Sequence, residues 1–579
     1  MASSVFFNGI LHYTPGTFSQ VNDEDMSPRN PAVGNDMVIV GRADGGQPNV
    51  PIRVQSPEDA KRKVRGGELL VAARKAFGPS SATGGPRTLT LIRVGQATRS
   101  SLTLKDGSAA DSIVLRSKLY GIPANTIRAK VEAGTLRGKK ITVQAGNEYS
   151  VGDNLARNAF SVHYTGADAV ANITVAGANV VLKSGADAGT AAVRATIAFE
   201  DFPTIQEVCD RINAVAGFSA TPASGSELLR AASALDFVTA QDVKTASFTV
   251  KGDLQAVVDW LNSPASGLAI GERATGAGSP PANVAWTFLT GAADPAVTNE
   301  DWSTAIDACE RLDIQHIVPL SADSAVHAMV DAHCIFMSDA GQRERRARVG
   351  GPAGTDMEEA KSLAAAIGSD RTSFCWPAHY DFDNRGNRVV LPGYMTAVLL
   401  AAMAAGVNPG TSLTNKPVRV GGLEFEARNP VDTDELIRFG ICVVENAGED
   451  GFKVVRDIST WLSDDNYNRV ENSCGSAVDY VARSVRKALD VLRGQKASPS
   501  LMSRGLSITR TVLDYLAKEE PAGPGILVGD TKSPAYKNLA ASINGDVTGI
   551  TFQCSPVIPN NFTTVGISVT PYSGTATLT

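Results

Sequence analysis

The histidines and cysteines are the residues of this chain whose chemistry could serve a metal site or a nucleophile. The six histidines are His12, His163, His316, His327, His333 and His379. They form no HExxH motif and no i,i+4 pair. His327, His333 and Cys334 are predicted to share one helix, but offsets of six and seven residues do not converge on one ion. We therefore predict no metal site and interpret the histidines as core or interface residues.

The seven cysteines lie far apart and include no CxxC pair. This spacing excludes a secreted module held together by disulfides and also a standard zinc knuckle. The residue types alone do not exclude a cysteine nucleophile, but no cysteine stands in a recognisable nucleophile context, so we predict no catalytic residue.

Two glycine-rich stretches resemble phosphate-binding loops without matching them. GPGILVGDTKS (523–533) has its lysine at the wrong spacing, and VGGPAG (349–354) is not GxGxxG and lacks the accompanying acid. DFDNRGN (381–387) begins like a calcium loop, but Arg385 and Pro392 stand where oxygen ligands are needed, so we predict a hairpin turn. We expect no cofactor of any kind.

The charge and hydropathy patterns narrow the class of protein further. Lys plus Arg number 54 and Asp plus Glu 60, which gives a net charge of −6 over 579 residues. A surface that tracks DNA or RNA is visibly basic, so we predict no direct nucleic-acid binding. The most apolar run, 395–405, has about half the length that a bilayer requires, and the first residues lack a signal peptide's basic region. We expect a chain that folds in a cytoplasm without membrane insertion.

A chain of 579 residues exceeds what one hydrophobic core usually supports, so its length indicates roughly three to five domains. Residues 298–406 alternate helices with buried strands, which predicts a parallel, α/β-layered sheet. Two capping boxes, Thr298 with Asp301 and Thr355 with Glu358, are predicted to open helices there. Alternating segments between about 100 and 200 predict a β-rich part.

The C-terminal part is predicted to combine strands and helices. VRVGGLEFE (418–426) is typical of an antiparallel strand, and two amphipathic helices are predicted at about 475–493 and 504–518. The final segment alternates, with Val565, Ile567 and Val569 on one face, which predicts a half-buried strand. From the residues alone, this strand belongs either to its own sheet or to the sheet of a neighbouring copy.

Several segments, taken in order, resemble the tail sheath proteins of contractile bacteriophages. They are PGTFSQV (15–21), VIVGRADGGQPNVPIRVQSPEDA (38–60), YGIPANTIRAKVEAGTLRGKKITV (120–143), the run from FLTGAADPAV to VDAH (288–333), LTNKPVRVGGLEFEARNPVDTDELIRFGICVV (413–444) and FKVVRDIST (452–460). Together they cover about half of the chain. Residues 145–285 match least, as the outward-facing insertions of such proteins vary.

The resemblance implies an α/β and β multidomain fold. The expected parts are an N-terminal arm (1–35), the N-terminal part of the core (36–99), a β-rich domain (100–200), a small α/β insertion (201–285), a central α/β domain (286–411), a C-terminal tube-facing domain (412–553) and a C-terminal arm (554–579). The terminal arms of such proteins join the sheets of adjacent subunits.

The resemblance also implies a mechanical function and a set of partners. The expected protein is a non-enzymatic subunit of a sixfold helical sheath, assembled in the host cytoplasm and part of the virion tail. Its expected partners are further copies of itself, the tail tube protein, the baseplate and the tail terminator. Alternatives are the sheath of a phage-derived bacteriocin or injection device, a cytoplasmic α/β enzyme, and a surface adhesin.

Two groups of residues are predicted to act in the assembly. The helix at about 475–493 carries basic residues away from its apolar stripe, namely Arg483, Arg486, Lys487 and Arg493. We predict that they face the tube, and that reversing the charge of Arg486 and Lys487 leaves thermal stability nearly unchanged. The alternative is a solvated face with pairs such as Asp479–Arg483.

The second group is a pair of thiols. Cys554 precedes the C-terminal arm and Cys474 lies in the predicted Gly/Ser loop NSCGS, so both are predicted to reach a neighbouring subunit. The alternative is that both are ordinary buried cysteines.

Overall fold

The computed structural model describes residues Val5–Phe7, Ile10–His12, 36–382 and 387–574. The chain forms two compact units. The first contains the described residues of 1–38, 75–89 and 311–579, and the second contains residues 39–74 and 90–310. The seven domain limits given above stay a prediction.

A mainly parallel sheet forms the centre of the first unit. In spatial order its strands are Phe452–Val454, Ile441–Asn446, Thr372–Trp376, Arg346–Val349 and His316–Pro319, followed by Asp36–Gly41, which begins in this unit and ends in the second. The register sets Phe374 opposite Ile441 and Ala347 opposite Thr372 in parallel pairs, whereas Phe452–Val454 pairs antiparallel with Ile441–Asn446. The strands are almost entirely buried, as in parallel sheets covered on both faces. The predicted α/β-layered sheet is confirmed.

Helices of the first unit pack against this sheet. They are Ser324–Asp339, Met357–Ile367, Gly393–Ala405 and Val431–Arg438. In Gly393–Ala405, the most apolar run of the sequence, twelve of the thirteen residues are buried. A helix that is apolar all round is expected in such a buried position. Over residues 36–382 and 387–574, no helix is both long enough and apolar enough to span a bilayer.

The C-terminal part of the first unit pairs two long helices with a β-hairpin. The helices are Asn472–Leu489, here called the long helix, and Pro499–Leu516, with the short helix Tyr467–Val470 before them. The hairpin strands are Tyr536–Asn544 and Val547–Cys554. Helices and hairpin share one core, formed by Ala477, Tyr480, Val481, Val485, Leu513, Leu516, Ile526 and Leu527.

Two smaller hairpins complete the first unit. Val5–Phe7 pairs antiparallel with Ile10–His12, and the remainder of 1–35 lies outside the described residues. His379–Phe382 pairs with Arg388–Leu391. These strands flank the turn predicted in place of a calcium loop, but residues 383–386 of that turn are themselves outside the described part.

The second unit is rich in β structure, as its alternating sequence predicts. Its strands, besides the end of Asp36–Gly41, are Ile52–Val54, Thr88–Arg93 (which begins in the first unit), Ser101–Lys105, Asp111–Ser117, Arg128–Ala133, Lys139–Ala145, Glu148–Leu155, Asn158–Tyr164, Val170–Val175, Asn179–Gly185, Ala192–Ala198, Phe218–Pro222, Val238–Asp242, Phe248–Lys251, Ala269–Arg273 and Val284–Phe288. Its helices are Pro57–Val64, Glu68–Ala76 (which ends in the first unit), Ile205–Asn213, Asp253–Leu261 and Asn299–Asp307. Ile205–Asn213 and Asp253–Leu261 each bury an apolar face in a separate core.

Of the two predicted capping boxes, one is present in the structure. The capping box of Thr298 and Asp301 is confirmed. The second box is wrong, because Asp356 caps Met357–Ile367 by accepting from the Glu359 amide at 2.9 Å. Residues 418–426 form no strand: the pair Gly421–Gly422, with φ of 149° at Gly422, interrupts a regular ladder.

Candidate functional site

The C-terminal arm loses contact with its own chain step by step. The Ser555 carbonyl accepts from the Val528 amide (3.0 Å), and the Val557 amide donates to the Ile526 carbonyl (2.9 Å). From residue 558 to residue 574 the described backbone forms neither a strand nor a backbone hydrogen bond. The arm is therefore attached at its root and unpaired beyond it.

The alternating apolar side chains of the arm are exposed. Val565 is 77 %, Ile567 81 % and Val569 88 % accessible to solvent. Burying side chains of this size is worth about 1.5–3 kcal/mol each, so the arm carries unused apolar surface. The alternative in which this strand completes its own sheet is wrong for the described residues. Pairing with a neighbouring copy stays a prediction.

The hairpin Tyr536–Asn544/Val547–Cys554 offers an unused sheet edge in the same unit. It forms a sheet of only two strands within the described chain, so each strand leaves one edge open. An isolated two-stranded hairpin is marginally stable in water, and an open edge is a template for a further strand. The first unit thus presents both an unpaired strand sequence and an edge that could accept one.

The basic residues of the long helix and the turn after it differ in their ion-pair partners. Arg483 Nε lies 3.2 Å and Arg486 Nη2 2.5 Å from the carboxylate of Glu344, whose side chain is only 6 % exposed. Lys487 is exposed on the next position of the helix. Arg493 lies beyond the helix end and pairs with Asp490 at 2.9 Å. Arg483 and Arg486 are therefore structural, whereas Lys487 and Arg493 face solvent.

An open basic groove runs along this part of the long helix. Six cationic side chains line it against two acidic ones: Arg311, Arg343, Arg483, Arg486, Lys487 and Arg493 against Asp313 and Asp490. Such a surface favours an acidic partner and weakens with salt. Contact of this groove with a tail tube stays a prediction.

The predicted pair Asp479–Arg483 does not form. Asp479 instead accepts from Arg346 Nε (3.1 Å) and from Arg371 Nη1 (2.8 Å to each oxygen). Both arginines come from the parallel sheet region, more than 100 residues earlier in the sequence. Asp479 therefore ties the long helix to the sheet.

A polar cavity between the parallel sheet and the long helix brings together titratable side chains, including His316, Arg348 and Asp457. Arg348 pairs with Asp457 at 2.8 Å, and Asn472 donates to the same carboxylate at 2.8 Å. Burial and the neighbouring arginines lower the pKa of His316 to about 3. A general base works best with a pKa near the working pH, so this neutral histidine is poorly suited to that role. Over residues 36–382 and 387–574, no group of three metal-ligating side chains occurs.

The two thiols predicted at subunit contacts differ in accessibility. Cys474 is 1 % exposed and lies inside the long helix, so its placement in a Gly/Ser loop is wrong. Cys554 ends the hairpin and is half-buried. Burial raises the pKa of both thiols, which disfavours the reactive thiolate. Cross-linking through Cys554 stays a prediction, and Cys474 is a poor candidate.

Comparison with known proteins gives a consistent class. Residues 295–460 match the central domain of phage tail sheath proteins. The tail sheath protein of Bacillus phage SP01 is 28 % identical over 98 % of both chains, and a putative tail sheath protein of Enterococcus phage phiEF24C is 26 % identical over 78 % of this chain and 80 % of its own. The crystal structure of a sheath tail protein from Listeria innocua superposes with a TM-score of 0.55 at 14 % identity, covering 91 % of this chain and 92 % of that one.

The structural likeness shows a multidomain α/β and β fold of the sheath tail type. The sequence matches confirm the resemblance to phage tail sheath proteins, because residues 295–460 match their central domain and named tail sheath proteins are similar to most or all of the chain.

Proposed function

We propose that this chain is the structural subunit of a contractile phage tail sheath. It polymerises around the tail tube in an extended, metastable state and then contracts to drive the tube through the host envelope. The observation that carries the proposal is its similarity to a phage tail sheath protein over 98 % of the chain. The exposed arm and the open hairpin edge support it, because both remain unsatisfied in a single copy.

In this proposal the arm of one subunit adds a strand to the hairpin of another. Main-chain hydrogen bonds would supply affinity, and pockets for Val565, Ile567 and Val569 would supply register. Burial of three such side chains contributes on the order of 5 kcal/mol per joint before ordering costs. A joint made by a flexible arm persists while the subunits move, which suits a lattice with two arrangements.

The remaining assignments follow from the same proposal. Lys487 and Arg493 lie in the basic groove and are our candidates for tube contact. The subunit would also meet the baseplate and the tail terminator, within sixfold rings in the virion tail, after assembly in the host cytoplasm. Contraction would draw on a difference in contact energy between two lattice states and would need no catalytic site.

Negative-stain electron microscopy of the purified full chain tests the proposal. Regular hollow tubes are expected at high protein concentration, and they disperse into subunits on dilution. A monodisperse monomer under all assembly conditions would favour the enzyme alternative instead.

A further inference from the structure

The last hydrogen bond between the C-terminal arm and the rest of its own chain, within the described residues, is made to a buried carboxylate. Asn561 Nδ2 donates to Glu471 Oε1 at 2.9 Å. Glu471 has a fully buried side chain and directly precedes the long helix. Arg456 Nε donates to the same oxygen at 2.8 Å, and its guanidinium lies 5.9 Å from the centre of the Phe562 ring.

This contact is unusual for a surface segment because its acceptor, the Glu471 carboxylate, is an acidic group shielded from solvent. A hydrogen bond to an ionised group is about twice as strong as a neutral one. A buried carboxylate also depends on every donor it has, since an unpaired buried charge is costly. Glu471 Oε2 has no hydrogen-bond partner in the described structure, so Arg456 and Asn561 supply its side-chain donors.

The solvent exposure of the arm increases immediately after Asn561. Asn561 is half-buried, whereas every residue from Phe562 to Gly574 is exposed. Asn560 bonds only to Thr563, inside the arm itself (3.2 Å). The structure therefore has one anchor at residue 561 and a free segment beyond it.

We propose that Asn561 and Glu471 fix the root of the C-terminal arm, so that the free segment begins at Thr563. The assignment of that segment to a neighbouring subunit rests on the function proposed above, but the anchor does not. From Thr563 to Gly574 an extended chain spans at most about 40 Å. Without the anchor, the free segment would begin after Val557 and gain about 17 Å of reach. The anchor therefore limits which neighbouring hairpin an arm can meet.

Limited chymotrypsin digestion of the full chain at low concentration tests the anchor directly. The enzyme cuts after Phe562 and after Tyr572, and intact mass separates the two products. In Asn561→Asp a second carboxylate faces Glu471, so cleavage after Phe562 is expected to rise about tenfold. In Asn561→Ala the hydrogen bond is lost without a new charge, and a smaller rise is expected.

Two internal controls isolate the effect. Tyr572 is 97 % exposed, so cleavage after it is expected to proceed equally in every variant. Asn560→Ala changes the neighbouring residue without touching Glu471 and is expected to behave like the parent. Equal cleavage after Phe562 in the parent and in both Asn561 variants would overturn the anchor.

Tube formation separates this proposal from the assigned function. If Asn561→Asp shows the faster cleavage and removal of residues 563–579 still permits tubes, the anchor stands and the arm's role in assembly fails. If removal abolishes tubes but Asn561→Asp is cleaved like the parent, the anchor is wrong and the role of the arm stands.

Discussion

At the scale of single residues, neighbouring cations on the long helix have different roles. Glu344 lies beneath Arg483 and Arg486, so reversing Arg486 would set two carboxylates together at a nearly dry site. Breaking a fully buried pair costs about 3–5 kcal/mol, and the 35 % exposure of Arg486 reduces that cost. The contact with Glu344 therefore argues against unchanged stability after this reversal, and a clean test of tube contact must use the exposed Lys487.

We predict that Lys487→Glu weakens co-sedimentation with the tail tube while changing the free energy of unfolding by less than about 0.5 kcal/mol. The weakening should be largest at low salt, because exposed charges are screened. Lys518→Glu, a reversal at an exposed lysine that does not line the groove, serves as the matched control. Unaltered tube binding by Lys487→Glu would remove the groove from the tube interface.

A buried histidine sets a second prediction at this scale. His379 is fully buried. The Thr396 hydroxyl donates its proton to the Pro377 carbonyl (2.8 Å). The Thr396 oxygen therefore accepts from His379 Nδ1–H (2.9 Å). Burial, with a smaller effect of Lys75, lowers the pKa of His379 to about 4. Because the unfolded chain takes up the proton near pH 6.5, stability is lost as pH falls below that value. The loss reaches about 2 kcal/mol at pH 5.

His379→Asn keeps a donor for Thr396 and removes the titration. We expect the variant to lose about 2 kcal/mol less than the parent between pH 7.5 and pH 5, measured by urea unfolding at both values. Any cost of the smaller side chain appears at both pH values and cancels in the difference. Parallel losses in the two proteins would show that His379 does not contribute to acid sensitivity.

At the scale of elements, the arm is the part whose removal should matter most to assembly and least to folding. Deleting residues 565–579 removes exposed side chains and no described backbone hydrogen bond. We predict an unchanged unfolding midpoint and no tubes by electron microscopy. Tubes of normal length from the truncated chain would exclude the arm from the joint.

Substitutions on the two faces of the arm refine that prediction. Exchanging Val565, Ile567 and Val569 for threonine keeps β-branching but replaces a methyl or ethyl group of each side chain by a hydroxyl, which makes burial of that face unfavourable. Thr564 and Thr570, exchanged for asparagine on the opposite face, provide the matched control. Assembly is expected to fail only in the first variant, and equal assembly in both would contradict burial of that face.

The helices and strands show that local contacts can be predicted from the sequence, whereas contacts between residues far apart in the chain cannot. Thr298 and Asp301 stand three residues apart, so their capping box is readable from the sequence and is confirmed. The alternation of buried strands and helices likewise predicts the parallel sheet. By contrast, Arg486 meets Glu344 across 142 positions and Arg371 meets Asp479 across 108. No local sequence pattern encodes such pairs. The sequence therefore predicts that Arg483 and Arg486 are available to a partner, although both pair with Glu344.

The anchor of the arm belongs to the same hidden class. Asn561 and Glu471 are separated by 90 residues. No motif or periodic pattern around either residue indicates that the two are in contact. The exposed alternation beyond Asn561 is visible in the sequence, whereas the point at which it becomes free is fixed only by the tertiary fold. The sequence therefore indicates the arm but not the residue at which it becomes free.

At the scale of the whole molecule, a single copy is incomplete in a specific way. It carries an unpaired apolar strand sequence and an open two-stranded sheet. In a polymer, each copy would both give and receive a strand, so a small energy per joint would be multiplied along the sheath. We propose that these two features meet between copies.

A cryo-electron microscopy reconstruction of the assembled tubes tests this claim most directly. We expect density for residues 563–574 of one subunit as an added strand on the 536–554 hairpin of another, with Val565, Ile567 and Val569 buried on one face. Tubes in which this segment lies on its own subunit, or remains exposed to solvent, would contradict it.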